Sequence, residues 1–284
     1  ISLTARWAVS DAMSLKYIGS TRESYSPTNI DFDNTALDIF AVPAIYDDEN
    51  SSHEVQFNYS GDGLNVVGGI YYYDGESCGQ FEAILGFLGR AAFGTPGLTR
   101  EVSGCNKIES TAIYAWGFYY ITEQLSVTIG ARYTDEEKQA VVKNGLIFDN
   151  VYPESAWIPS YVGPIGNIVP QVLGRDLDGD SVLDAPSVQN WSRFTPRIGL
   201  EYQANPDLMF FASNSQSFKS GTFNPRATVN ELGVEPEIVD SIEVGMKSDW
   251  SDNLRVNLTL FLSLIYIWRC RRSPLSRSRW SPYH

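Results

Sequence analysis

Between Gln124 and Gln139 the chain alternates apolar and polar residues with hardly a break. Leu125, Val127, Ile129, Ala131 and Tyr133 take the odd positions, and Ser126, Thr128, Gly130, Arg132 and Thr134 the even ones. A strand sends successive side chains to opposite faces, so this segment has one greasy face and one polar face bearing an arginine. The same division recurs at 53–60, where Val55, Phe57 and Tyr59 oppose Glu54, Gln56 and Asn58. Ile198, Leu200 and Tyr202 oppose Arg197, Glu201 and Gln203. Leu254, Val256, Leu258, Leu260 and Leu262 oppose Arg255, Asn257 and Thr259, with Phe261 out of step. Segments 110–121 and 207–219 are blurred, with aromatics on both faces.

These patterns predict strands in pairs: 1–10 with 14–24, 53–60 with 63–74, 110–121 with 124–138, 191–203 with 207–219, and 238–249 with 253–264. Most joints within a pair carry Asp, Asn, Gly or Pro, which tight turns require. Connections between pairs are long, over residues 25–52, 75–109, 139–189 and 220–237. Loops of such length are uncommon inside compact soluble domains. Short turns alternating with long loops are the mark of an outer-membrane barrel. The expected fold is therefore all-β, an antiparallel up-and-down transmembrane barrel. It is incomplete, with about ten strands, long extracellular loops and short periplasmic turns. Aromatics near strand ends (Tyr71, Tyr72, Tyr73, Tyr119, Tyr120, Phe210, Phe211 and Trp250) are expected to form the interfacial girdles of such a wall.

The chain has 284 residues, 16 Tyr, 14 Phe and 23 Gly, a composition suited to β-structure. Its net charge of −13 argues against nucleic acid as a partner. No run of apolar residues is long enough for a membrane helix. The segment 269–284 holds five arginines and no acid, unlike everything before it. Residues 1–264 are thus expected to form the partial barrel and 265–284 an atypical basic tail. The abrupt change near 262–267 marks a candidate shift of reading frame. The start at Ile1, already inside a strand pattern, suggests a fragment lacking its N-terminal part.

Enzyme motifs are absent, and the two histidines are too few for most histidine-based zinc sites. His53 is expected at the surface. The best metal candidate is Asp176, Asp178, Asp180 and Asp184, at positions 1, 3, 5 and 9 of an EF-type calcium loop. Ser181 and Ser187 stand where that loop wants Gly and Glu. Cys78 and Cys105 are candidates for a disulfide in an oxidising compartment, with two free thiols as the alternative. Acidic clusters at 46–50 and 134–138 are expected to be solvated, or to bridge lipopolysaccharide through divalent cations. Tyr46, Trp157, Tyr161 and Trp191 are loop aromatics that either stack on a ligand or pack within loops.

The segment "RFTPRIGLEYQANPDLMFFASNSQSFKSGTFNPRA" (193–227) resembles the barrel of TonB-dependent outer-membrane receptors. The resemblance rests on Phe-Thr-Pro-Arg (194–197), then Phe-Lys-Ser-Gly-Thr-Phe-Asn (218–224), with Thr222 where a second Gly is common. A Pro-Glu…Ser-x-Glu-x-Gly-x-Lys pattern follows at Pro236, Glu237, Ser241, Glu243, Gly245 and Lys247. The hairpins at 121–138 and 53–76 are similar to others in that family. The resemblance implies a barrel of about 22 strands closed by a plug. It implies active uptake of a ferric siderophore, a cobalamin or an oligosaccharide, energised by TonB through the plug region. Outer-membrane lipid, lipopolysaccharide and the small-molecule or oligosaccharide ligand are the implied partners. A passive porin-like channel and a soluble secreted protein binding calcium and carbohydrate are the alternatives. The latter requires the greasy faces to meet one another in a core.

Overall fold

The computed structural model describes residues 1–37, 39–85, 91, 98–148, 171–173, 187–223, 233–251 and 253–267. The strands are β1 (Ser2–Ala8), β2 (Met13–Asp31), β3 (Ala41–Gly61), β4 (Leu64–Ile84), β5 (Leu98–Tyr120) and β6 (Leu125–Phe148). They continue as β7 (Gln171–Leu173), β8 (Ser187–Asn205), β9 (Leu208–Lys219), β10 (Glu237–Ser251) and β11 (Leu254–Ile267). All join one antiparallel sheet in chain order, with the short β7 set beside β6. Its two outer strands, β1 and β11, do not pair with each other, so the wall is an open up-and-down sheet.

The turns at one end are short and chemically explicit. Asp62 and Gly63 both have positive φ, 47° and 75°, as the tightest hairpin turn requires. At the β8–β9 turn the Gln203 amide donates to the Asn205 carbonyl at 2.7 Å. Beside the β10–β11 turn Arg255 forks onto Asp249, at 2.5 and 3.0 Å. That pairing, chiefly through its hydrogen bonds, holds the Asp249 carboxyl below the usual carboxylate range.

The strands run far past their predicted ends. The expected loop 25–52 shrinks to 32–40, because β2 and β3 stay paired from Met13↔Tyr59 to Asp31↔Ala41. Of the expected loop 75–109, residues 75–84 and 98–109 are strand, with β4 and β5 in register from Leu64↔Tyr119 to Ile84↔Thr99. The extensions lack alternation: Tyr46 to Ser52 is polar on both faces. Water on both sides of a sheet imposes no period-2 hydrophobicity, so such a strand is silent to a pattern search.

The segment 124–139 decides which face is which. Ile129 is 60% exposed and Tyr133 46%, whereas Ser126 is 5% and Thr134 6%. Along the sheet the register lines up Val55, Ile70, Ile113, Tyr133 and Phe194, all exposed. The greasy faces therefore do not meet one another, and the soluble core required by the third expectation does not form. The polar face is the concave one, since side chains from β4, β5, β6, β8 and β9 converge there on one recess. Greasy outside and polar inside is the arrangement a lipid-embedded wall requires. Among the described residues no helix is long and apolar enough to cross a membrane; the crossing elements are strands.

Candidate functional site

Concave-face aromatics lie flat because glycines let them. A Cβ on Gly69 would come within 2.7 Å of the Tyr114 hydroxyl, one on Gly75 within 2.5 Å of the Tyr73 hydroxyl, and one on Gly245 within 2.5 Å of the Phe211 ring. Ring-on-glycine packing also splits the expected girdle. Tyr72 and Phe210 stand exposed on the convex face, whereas Tyr71 and Tyr73 line the concave recess and Phe211 folds over Gly245. The strand period sorts such consecutive aromatics, whatever their shared preference for an interface.

The recess has a volume of about 570 Å³ and is walled by Tyr71 and Tyr73 of β4, Ser110 of β5, Arg132, Thr134 and Glu136 of β6, Thr195 of β8 and Ser217 to Ser220. Register explains the convergence. Tyr71, Ala112 and Thr134 are successive partners across β4, β5 and β6, and Tyr114, Arg132 and Thr195 across β5, β6 and β8. The Arg132 guanidinium stacks over the rings of Tyr71 (5.4 Å) and Tyr114 (5.9 Å). Its Nε donates to Thr134 Oγ1 at 3.0 Å, and its backbone carbonyl accepts from Thr195 Oγ1 at 3.2 Å.

Two acids stand near this arginine, and both are engaged elsewhere. Glu54 accepts from the Tyr114 hydroxyl and from Gln56 Nε2 at 3.1 Å. Glu136 accepts from Ser220 Oγ and pairs with Lys138 Nζ at 3.2 Å. Lys138 also donates to the Gly221 carbonyl at 2.8 Å, next to the bridge between Thr222 and Val234. Trp191 lies against Gly221 and Gly233. It is 6% exposed, packs edge-on to Phe223, and lies where a Cβ on Gly221 would clash at 2.5 Å. Phe223 in turn joins Val102 and Ala140 in a small buried cluster.

The singled-out residues scatter. Asp176, Asp178, Asp180 and Asp184 lie outside the described residues, as do Trp157 and Tyr161. Cys78 and Cys105 are register partners on β4 and β5, with Cα atoms 4.1 Å and sulfurs 2.09 Å apart. Glu76 stands beside them, but sulfurs joined to each other offer no thiolate to a metal. Tyr46 lies against Gly79. His53 sits within β3 and meets the Tyr17 hydroxyl at 2.8 Å. The motif residues Glu237, Ser241, Glu243, Gly245 and Lys247 fall at alternate positions of β10, all on one face. Its glycine makes room for Phe211, over which Lys247 then sits at 5.8 Å. Pro196 has no N–H to give, and the β8–β9 ladder stops at the next residue, Arg197. Beyond that break Arg193, Gln216 and Asp240 form a side-chain relay, with bonds of 2.9 and 2.7 Å.

Residues 1–266 match the TonB dependent receptor-like β-barrel family. The chain belongs to the TonB-dependent receptor β-barrel family. Its place is the bacterial outer membrane, and the family is one of receptors rather than enzymes. Among solved structures it is similar to the ferric yersiniabactin uptake receptor FyuA from Yersinia pestis. That match has a TM-score of 0.66 at 12% identity, covering 92% of this chain and 34% of the receptor. Lower TM-scores come from the alcaligin outer membrane receptor FauA of Bordetella pertussis (0.35, 12% identity, 93% and 42% covered) and the ferric-catecholate import receptor Fiu of E. coli K12 in its closed form (0.40, 11%, 90% and 42%). This barrel wall thus spans about a third of the length of the yersiniabactin receptor. At such identity the likeness is one of fold.

Proposed function

We propose that the chain is part of the wall of an outer-membrane receptor that takes up a ferric siderophore, energised by TonB. The observation that carries this reading is the match of residues 1–266 to the receptor barrel. The fold likeness to a ferric siderophore receptor supports it, and so does an inward recess of about 570 Å³, within the size range of small-molecule sites. Ferric chelates are preferred over cobalamins and oligosaccharides because the solved receptor that shares this fold is named for ferric yersiniabactin uptake. In this reading the wall supplies a polar, aromatic-lined lumen, and a plug in the intact receptor gates it.

The test is uptake of radioactive iron by iron-starved cells that express the full-length receptor gene, with and without tonB. Accumulation of a ferric chelate that disappears without TonB is the expected result. Uptake unchanged by loss of TonB, together with open-channel conductance in planar bilayers, would make the protein a passive channel and overturn the proposal.

A further inference from the structure

We propose that the seam between β8 and β9 is a side portal, through which the hydrocarbon tail of an amphipathic ferric chelate passes between the outer leaflet and the recess. This rests on the uptake reading above and narrows its substrate class to chelates that carry such a tail. The ladder joining the two strands runs from Asn205↔Leu208 only as far as Arg197↔Ser215. Beyond it β8 continues through residues 187–196, still paired with β6, and β9 through 216–219, still paired with β10. The wall is thus unzipped along one line while both banks remain strand. That line begins within the lipid-facing band. Phe194 and Ile198 on the convex side of β8 are 55% and 50% exposed, and are register partners of Tyr133 and Ile129.

An interrupted ladder is tolerated at membrane depth only where it borders a wet cavity, because hydrocarbon offers its backbone groups no partner. The recess is that cavity, since both banks line it: Thr195 from β8 and residues 217–219 from β9. Side chains close the seam in place of a ladder. Arg193 reaches across it, donating from Nε at 3.3 Å and from Nη2 at 2.9 Å to Gln216 Oε1. Gln216 Nε2 donates in turn to Asp240 Oδ1 of β10 at 2.7 Å. Asp240 pairs across to the exposed Leu264 of β11, so the relay sets polar groups at the edge of an otherwise apolar band. Such a closure parts by exchanging side-chain bonds for water, at little net cost, and breaks no backbone ladder. Behind it Phe218, Ile108 and the rings of Tyr71 and Tyr73 give the recess apolar walls against which a methylene chain can lie. A chelate that is polar throughout gains nothing from an opening onto lipid.

The experiment uses cells that express the full-length receptor gene with Tyr73→p-benzoylphenylalanine, a photo-crosslinker on the side of the recess away from the seam. The probes are the ferric complexes of tritiated decanohydroxamate and tritiated acetohydroxamate, and the tritium fixed to the purified receptor is counted. The long-chain complex should label at least about tenfold more than the short one, because each buried methylene favours it. Gln216→Ala removes the middle of the relay and should raise long-chain labelling about threefold, leaving short-chain labelling unchanged. Heat-modifiable migration checks that the barrel remains folded. If Gln216→Ala fails to fold, Asp240→Ala replaces it; if the photo-crosslinker disturbs position 73, Ile108 carries it. Long-chain labelling equal with and without the relay, or a rise shared by both probes, overturns the proposal. Absence of long-chain labelling while TonB-dependent uptake of ferric acetohydroxamate proceeds also overturns it and leaves the uptake reading intact. Loss of TonB-dependent uptake for every ferric chelate, with relay-dependent labelling retained, removes the uptake reading and supports the portal.

Discussion

The two faces of this sheet obey opposite rules. On the convex face the large apolar side chains are the exposed ones, Ile129, Phe194, Ile198 and Leu260 among them. On the concave face the small polar ones are buried, such as Ser110, Ser126 and Thr134. A water-soluble protein reverses this, since burial of apolar area is what drives its folding. Here the wall leaves apolar area to lipid, and its packing specificity resides on the polar side. There glycines seat aromatic rings, and an arginine, a lysine and two glutamates are tied into a few short-range contacts.

The sharpest test of this contrast substitutes neighbours on opposite faces. Ile129→Arg puts a charge on the lipid side and should cost about 2–4 kcal/mol near the bilayer midplane. Thr128→Arg, one residue away on the wet side, should cost well under half of that. Urea unfolding of the full-length receptor in lipid would measure both, and equal costs would break the contrast.

The next test lies where the contrast fades. Away from the turns the convex face becomes polar: Lys107 pairs with Glu109 at 3.0 Å, and Cys78 faces Cys105. The two cysteines are 27 positions apart in the chain, so replacing both with Ser should destabilise this end by about 2–4 kcal/mol. Intact receptor should take up no iodoacetamide at either position before reduction, as peptide mass spectrometry would show. Labelling without reductant would mean free thiols and no such loss.

A smaller effect separates glycines that seat rings from those that do not. Gly245→Ala drives Cβ to within 2.5 Å of Phe211 and of the Leu258 carbonyl, which should cost about 1–3 kcal/mol. At Gly117 the nearest atom is 3.9 Å away, so its Ala variant should lie within about 0.5 kcal/mol of wild type. Both are read from shifts in the same unfolding midpoint.

The smallest effect belongs to the exposed connection 32–40. Asp33 accepts from Thr35 Oγ1 and from the Phe40 N–H, and these bonds, the Thr35 one first, hold its carboxyl below the usual value of 3.8. A depressed folded-state value stabilises the loop above the unfolded value, and that contribution is lost as pH falls through the folded one. Hydrogen exchange of Phe40 N–H, corrected for intrinsic rates, should therefore gain protection from pH 3 upward to about pH 5. Asp33→Asn should flatten that dependence.

The strands were legible wherever one face met lipid. Leu125 to Tyr133 and Leu254 to Leu262 carry a period-2 pattern that fixes both the strand and its outward face once the turn–loop alternation is read with it. Extensions such as Tyr46 to Ser52 were not legible, because with water on both sides nothing selects one face. Trp191 reads in the sequence as a loop aromatic that either stacks on a ligand or packs within loops. The structure packs it, buried beneath Gly221 and against Phe223, thirty and more residues further along, partners that the sequence alone does not name.

Sequence by itself determined the local and periodic facts: which residues form strands in the lipid zone, where the tight turns fall, and which family the chain resembles. These depend on neighbours two or three positions apart. Only the tertiary structure decided the site. Glu54 and Tyr114 are sixty residues apart and Glu136 and Ser220 eighty-four, so their bonds depend on strand register across the sheet. Which partners Glu54 and Glu136 meet follows from that register and from nothing local. The physical reason is that electrostatic pairing is set by distances of a few ångströms, and a sheet brings distant segments that close only once every register is fixed.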